Sequence, residues 1–197
     1  GTSANAYSLQ LVSGSAATAV SGAVSNIGTL TLQEDAATST GGVSFTGTVS
    51  VKDVATYSQA YAVSFTGSTT SVTDTAAAAV FQNTGTLTLG DGTADVLTFG
   101  DGVTAAAPSS KIIAGAIRAT NGGILFGTSQ TTVSATATLD GSSSGAITLA
   151  AVTLGAGVTL NAGNASDSNS ITVGAVTPDS DGDGTIAVRN AAGTVSF

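Results

Sequence analysis

The sequence predicts an all-β protein whose short strands stack as a parallel β-helix, a β-solenoid with about 20 residues in each coil. The first observation is a glycine-led pentad, Gly-x-Φ-x-Φ with Φ mostly aliphatic, that recurs along the chain. The second is the alternation of apolar and polar residues inside each pentad, which is the period of a β-strand. A β-sandwich is the alternative, because many short strands joined by glycine-rich turns also build sandwiches.

The regular copies of the pentad lie in the first half of the chain. They are GTLTL at residues 28–32, GTVSV at 47–51, a degraded copy at 67–72 and GTLTL again at 85–89, so that successive glycines are 19, 20 and 18 residues apart. A second strand precedes each glycine, and its apolar residue four positions earlier is Val24, Val43, Val63 and Phe81 in turn. The pentapeptide VSFTG occurs at 43–47 and 63–67. Such near-identical strands favour a solenoid, because equivalent positions then stack directly.

The repeat persists to the last residue, so we expect a single repetitive β domain over residues 1–197. Residues 1–90 are expected to form regular coils, and residues 91–197 irregular coils decorated by loops, because the later pentads are unevenly spaced. Residues 75–82 are alanine-rich but too short for a convincing helix, and residues 109–119 fit a strand better. The chain has no initiator Met or signal peptide, which indicates a mature or excised segment.

Composition excludes several classes of function. Hydrophobic residues make up 42% of the chain and charged residues only 8%, which predicts an ordered chain. A net charge of −8 opposes binding to nucleic acid and to anionic membrane surfaces. The uncharged stretches 1–33 and 141–166 carry polar residues at every second or third position, so we expect strands there and no membrane insertion. No cysteine is present, and hence no disulfide framework.

The sharpest chemical motif is DSDGDGTI, which begins at residue 179. Asp179, Asp181 and Asp183 match the start of an EF-hand or dockerin-like loop, in which alternate carboxylates bind the hard cation calcium. The Thr185 carbonyl would add an oxygen, and the twelfth position is Asn190 in place of the bidentate acid. We therefore expect either a structural calcium site formed by these five residues or an exposed Asp-Gly turn.

Three weaker motifs have simpler explanations. Residues 90–97 keep part of a calcium-binding nonapeptide, but a corner turn is the expected structure. Ser143 lies in a GSSSG sequence that satisfies the nucleophile-elbow pattern, yet the chain has no histidine to act as its base. Acid–base catalysis by Lys52 with Asp53, or by Lys111 with Arg118, would need a shared cleft. Four scattered basic residues do not indicate one, so we expect no enzyme.

The sequence NTGTLTLG at residues 83–90 and its copies resemble the repeats of bacterial autotransporter passengers and of filamentous-haemagglutinin-type surface proteins. The resemblance covers most of the chain and concerns the repeats alone. It implies an exported right-handed β-helix that serves as a stalk, an adhesin or a surface fibre.

We therefore expect a non-catalytic, extracellular structural protein, a self-associating building block of a bacterial surface fibre, sheath or surface layer. The chain ends inside a pentad at Phe197, which suits a rod that further coils continue. The binding alternative is an adhesin stalk that presents Tyr57, Tyr61 and threonine-rich faces to a glycan or a host surface, with an ice-binding face as a lesser version. The enzyme alternative is a β-helix polysaccharide lyase or hydrolase. Calcium is the one expected cofactor.

Overall fold

The structure is a computed structural model that describes residues 7–33, 39–142, 145–178 and 182–197. These residues form nineteen β-strands and no helix. The strands are β1 Tyr7–Leu11, β2 Thr18–Val20, β3 Val24–Leu32, β4 Val43–Phe45, β5 Val49–Thr56, β6 Val63–Phe65, β7 Thr69–Val72, β8 Ala79–Val80, β9 Thr86–Leu89, β10 Val96–Phe99, β11 Val103–Thr104, β12 Ser110–Ala119, β13 Ile124–Leu125, β14 Gln130–Asp140, β15 Ile147–Leu154, β16 Thr159–Ala162, β17 Ile171–Thr177, β18 Thr185–Val188 and β19 Val195–Ser196.

Strands that pair in this structure run parallel, and strands between the first and last coils pair with the coil before and the coil after them. The coils contain about 24 residues and stack into a β-solenoid of about eight turns. The predicted solenoid is therefore confirmed. The β-sandwich alternative is wrong, because sandwiches are built from antiparallel sheets.

Three parallel ladders form three faces of the solenoid. Face A consists of β2, β4, β6, β9, the first parts of β12 and β14, and the ends of β15 and β17. Face B consists of the first parts of β3 and β5, then β7, β10, the ends of β12 and β14, β16 and β18. Face C consists of β1, the ends of β3 and β5, then β8, β11, β13, the first parts of β15 and β17, and β19. The longest strands bend across a corner and serve two faces.

The near-identical repeats do not all lie on one face, which corrects the predicted coil length of about 20 residues. The two VSF sequences, β4 and β6, pair in register on face A, as expected. The two GTLTL sequences do not stack, because residues 30–32 lie on face C and residues 86–89 on face A. The interval between two repeat glycines is therefore a whole coil in some cases and only part of a coil in others. The register offset between paired strands itself varies, from 20 residues between Val43 and Val63 to 27 between Thr69 and Val96.

Alternate residues of the strands point inward and form one apolar core. In both β4 and β6 the Val and the Phe are buried, while the Ser between them is half-buried. Phe45 stacks on Phe65 with ring centroids 4.9 Å apart. Phe81 meets Phe65 edge-on at 6.1 Å, and Phe99 meets Phe81 at 6.4 Å. Because Phe65 lies on face A, Phe99 on face B and Phe81 directly after β8 of face C, this row of rings joins the three faces.

Glycine is required where the corners of successive coils touch. A Cβ on Gly67 would collide with the Gly47 carbonyl group, and a Cβ on Gly115 would collide with the Asp95 carbonyl group. Gly115 also has a φ of 72°, in the left-handed region that other residues rarely adopt. These glycines let the backbone of one coil rest directly on the next.

The outer surface of face A is uncharged along its central column, which consists of Ala19, Ser44, Ser64, Thr88, Ile112, Thr132, Thr153 and Thr177. The expected threonine-rich face is thus present, but Ile112 interrupts its hydroxyl groups. Residues 109–119 form most of β12, as predicted, and residues 75–82 contain β8 and turns. None of the described residues forms a helix long and apolar enough to cross a membrane.

Candidate functional site

The predicted calcium loop is described only in its second half. Asp179 and Asp181 lie outside the described residues. The Asp183 side chain accepts a hydrogen bond from the Gly157 N–H, with 2.7 Å between Oδ1 and N. This carboxylate therefore links its own coil to the preceding one. In the described part of the chain no group of three or more His, Cys, Asp or Glu side chains is placed to hold a metal ion.

The other two expected calcium ligands lie at opposite ends of a strand. Thr185 begins β18 and Asn190 follows its end, so the chain between them is extended and does not fold back as an EF-hand loop does. The Asn190 side chain donates to the Asn169 carbonyl oxygen at 2.6 Å and accepts from the Gly193 N–H at 3.1 Å. Asn190 is therefore held at a corner by hydrogen bonds to the backbone. The calcium site formed by the aspartates, Thr185 and Asn190 stays a prediction.

The second candidate calcium motif, residues 90–97, forms a corner turn, as expected. Asp95 is buried, and its Oδ2 accepts hydrogen bonds from the N–H groups of Asp91 and Gly92, each at 2.9 Å. Burial, followed by the nearby Asp95 carboxylate, raises the pKa of Asp91. The Asp95 side chain thus serves the turn between faces A and B.

The residues considered for acid–base catalysis do not share a cleft. Lys111 and Arg118 are both in β12, but Lys111 is fully buried and Arg118 is exposed on face B. Lys52 is exposed at a corner, and the neighbouring Asp53 accepts the Val54 N–H at 2.7 Å through Oδ1. Ser143 lies outside the described residues.

The prediction that Tyr57 and Tyr61 together present a stacking face is wrong. Tyr61 is completely buried, and its hydroxyl group donates to the Leu32 carbonyl oxygen at 3.1 Å and accepts from the Tyr57 N–H at 2.9 Å. Burial raises the pKa of Tyr61, which keeps the hydroxyl proton in this bond. Tyr57 remains 36% exposed. Tyr61 is therefore an internal brace that fixes the backbone at Tyr57.

Sequence reasoning missed the buried amine of Lys111. Lys111 occupies an inward position of face A, between Leu87 of β9 and Thr131 of β14. Its ammonium group donates to the Ser129 hydroxyl group, which in turn donates to the Pro108 carbonyl oxygen. Among the described residues no carboxylate pairs with it, and burial lowers the pKa of Lys111 to about 8. The alternation of side chains along the strand could have predicted this burial, because Lys111 is two residues from the buried Ile113 and lies on the same side of the strand.

Two buried asparagines, also missed, hold the corners of successive coils. Asn83 donates to the Tyr61 carbonyl oxygen at 3.2 Å. Asn169 donates to the carbonyl oxygens of Ser142 and Gly145, at 2.5 and 2.7 Å. Each amide donates a hydrogen bond from one coil to the coil before it. It thereby replaces the backbone hydrogen bonds of the ladder at a corner, where the strands have ended.

Two shallow clefts on the outer surface are formed by described residues alone. One, of about 310 Å³, is lined by polar side chains at the edge of face B, among them Thr138, Asp140, Asn161, Asn164 and Arg189. The other, of about 290 Å³, lies on face C and is lined by residues 53–57, 77, 78, 80 and 82. Only the second cleft contains an aromatic side chain.

Comparisons with protein-family models, with curated proteins and with solved structures gave no match. The resemblance to autotransporter and haemagglutinin-type repeats therefore stays a prediction from the sequence, and the structure shows only that this chain is a β-solenoid.

If the aspartates bind structural calcium, chelation will lower the melting temperature of the protein. A site with a dissociation constant near 0.1–1 mM, as in extracellular modules, stabilises the folded state by about 1–3 kcal/mol at about 10 mM calcium. Thermal unfolding with calcium and with EDTA measures the effect, and Asp181→Asn should remove it. An unchanged melting temperature in EDTA would reject the ion.

Lys111 should make stability rise with pH. Between about pH 8 and the ordinary lysine pKa of 10.5, the unfolded chain holds a proton that the folded chain has lost, so the free energy of unfolding increases through this window. A full shift contributes at most about 3 kcal/mol. The raised pKa of Tyr61 acts in the opposite direction, but only above about pH 10.

Urea unfolding at about pH 7 and about pH 9.5 tests this dependence. Lys111→Met should abolish most of the rise and stabilise the protein at the lower pH, since a buried ammonium group is replaced by an apolar chain. The matched control is Lys52→Met, which removes an exposed lysine and should leave the rise unchanged. Equal pH dependence in the two variants would contradict the assignment.

Proposed function

We propose that this protein is a non-catalytic structural element, a β-solenoid that associates end to end into a fibre, sheath or surface layer. The observation that carries the proposal is the state of the two ends of the described stack. At one end β1 pairs only with β3 and β2 only with β4. At the other end β18 pairs only with β16 and β19 only with β17. Within the described residues, each end therefore offers a row of unpaired backbone groups.

Exposed apolar side chains are concentrated at the same ends. Eight large hydrophobic side chains are exposed among the described residues, and five of them lie in the first or last coil. These five are Tyr7, Val12, Val176, Val195 and Phe197. Burying them together with the free strand edges favours continuation of the stack.

A second copy of the chain fits these ends. In an all-parallel stack the free edge of the last coil has the hydrogen-bond pattern that the first coil needs, so identical copies can continue the ladders head to tail. Such a contact is heterologous and does not close on itself, which leads to an open filament. The chain as a whole carries a net charge of −8, which opposes lateral clustering of the rods.

The proposed location is outside a bacterial cell, and it rests on the resemblance of the repeats to exported surface proteins. The stiffness of a stack held by backbone ladders and a continuous core suits a mechanical role. A mechanical role also does not require catalytic side chains to be brought together in a cleft.

A lysine in the terminal coil should block assembly. Val195 is 39% exposed in β19, and Val195→Lys would place a charge inside the proposed contact, raising the concentration needed for assembly at least about tenfold. Leu125→Lys is the matched control, since Leu125 has nearly the same exposure, 38%, in the middle of face C. Negative-stain imaging and light scattering over a concentration series measure assembly. Compact monomers of the unaltered chain at every concentration would rule out the proposal.

A further inference from the structure

The cleft on face C lies where the ladder between two coils is almost open. The end of β5 and the short strand β8 share a single residue pair, Ala55 with Val80. On its other side the end of β5 pairs with β3 over four residues. The Thr56 hydroxyl group fills part of the gap: it donates to the Val80 carbonyl oxygen at 3.2 Å and accepts from the Gln82 N–H at 2.7 Å. A side chain thus replaces ladder hydrogen bonds, and the gap opens the cleft.

Part of the cleft lining is apolar and rigid. Tyr57 is 36% exposed and Val80 is 43% exposed, and the small side chains of Ala55, Ala77 and Ala78 complete this apolar part. The backbone at Tyr57 is fixed by the hydrogen bond from its N–H to the buried Tyr61 hydroxyl group. A flat aromatic surface held in this way loses little conformational freedom when a ligand covers it.

Two further residues of the lining, Asp53 and Gln82, supply hydrogen-bonding groups. One oxygen of Asp53 accepts the Val54 N–H, which leaves the second oxygen available as an acceptor. Gln82 is exposed, and its carboxamide group both donates and accepts. Both side chains can therefore pair with hydroxyl groups, each of which is a donor and an acceptor at once.

We propose that this cleft binds one pyranose ring of a neutral saccharide. The C–H face of a pyranose is apolar and suits Tyr57 and Val80, while its edge of hydroxyl groups suits Gln82, which the pairing of Ala55 with Val80 places level with Tyr57. Asp53 lies further along the same lining, four residues before Tyr57. The ligand is neutral because Asp53 faces it and the whole chain carries a net charge of −8. The site is separate from the proposed assembly contacts, which lie in the terminal coils.

The size of the cleft indicates weak binding. At about 290 Å³ it is at the lower limit of small-molecule sites, which fits a single ring whose neighbours extend into solvent. One pyranose unit has about 12 non-hydrogen atoms. At the binding free energy per atom that is usual for ligands, this size corresponds to a dissociation constant of about 1 mM.

The test uses four soluble neutral probes, maltotetraose, cellotetraose, laminaritetraose and mannotetraose, titrated to about 10 mM into the isotope-labelled protein. At least one should give saturable amide shifts centred on Tyr57, Val80 and Gln82. Tyr57→Ala should weaken that binding at least about tenfold, in line with the loss of a stacked aromatic ring. Tyr7→Ala is the matched control, because Tyr7 is 61% exposed in the first coil, and it should bind as the unaltered chain does.

A second variant, Gln82→Ala, removes an exposed side chain and keeps the test decisive if Tyr57→Ala fails to fold. It should weaken binding by about three- to tenfold. The proposal is overturned if none of the probes saturates, if the shifts centre elsewhere, or if the folded Tyr57 and Gln82 variants both bind unchanged. Equal binding of tetragalacturonate in the cleft would overturn the assignment to a neutral sugar.

Discussion

Neighbouring coils of this solenoid lie about 4.8 Å apart, and that spacing constrains each inward side chain. A residue can be buried only if the residues directly above and below it leave no gap and cause no collision. Phe45 and Phe65 satisfy the constraint most directly, because stacked rings with centroids 4.9 Å apart match the spacing of the strands. The same spacing excludes a Cβ from Gly67, where backbone rests on backbone. The unpaired ends follow too, since the first and last coils each have a neighbour on one side only.

Much of this fold was accessible from sequence, because alternation of apolar and polar residues is a local property that stacking preserves. The parallel solenoid, the strand over residues 109–119 and the pairing of Val43 with Val63 were all predicted. The coil length and the three faces were not. Val24 lies on face B and Phe81 follows β8 of face C, although both hold the same place before a glycine as Val43 and Val63. A pentad fits any of the three faces, so the spacing between copies does not measure a coil.

The functional residues were harder to predict, because their roles depend on contacts between coils about 24 residues apart. Tyr57 and Tyr61 look equivalent in the sequence, yet one is exposed and the other is a buried brace. Thr56 is one threonine among many, but its hydroxyl group bridges the gap between β5 and β8 that opens the cleft. Lys111 could have been placed by alternation with Ile113, whereas its hydrogen bond to Ser129 depends on the register of two coils.

The coil and its three faces depend on the register of the ladders, and cysteine cross-linking measures that register directly. Because the chain has no cysteine of its own, only the introduced pair can form a disulfide. Ser64 pairs with Thr88 across β6 and β9 on the outer side of face A, whereas alignment by the glycine repeat would pair Ser64 with Gln82. The Cα atoms of two residues that pair across neighbouring strands lie within the range of roughly 4.4–6.8 Å that a disulfide requires. Under oxidation, Ser64→Cys with Thr88→Cys should form a disulfide efficiently, and Ser64→Cys with Gln82→Cys should not. Cross-linking of the second pair in preference to the first would contradict the register and the coil built on it.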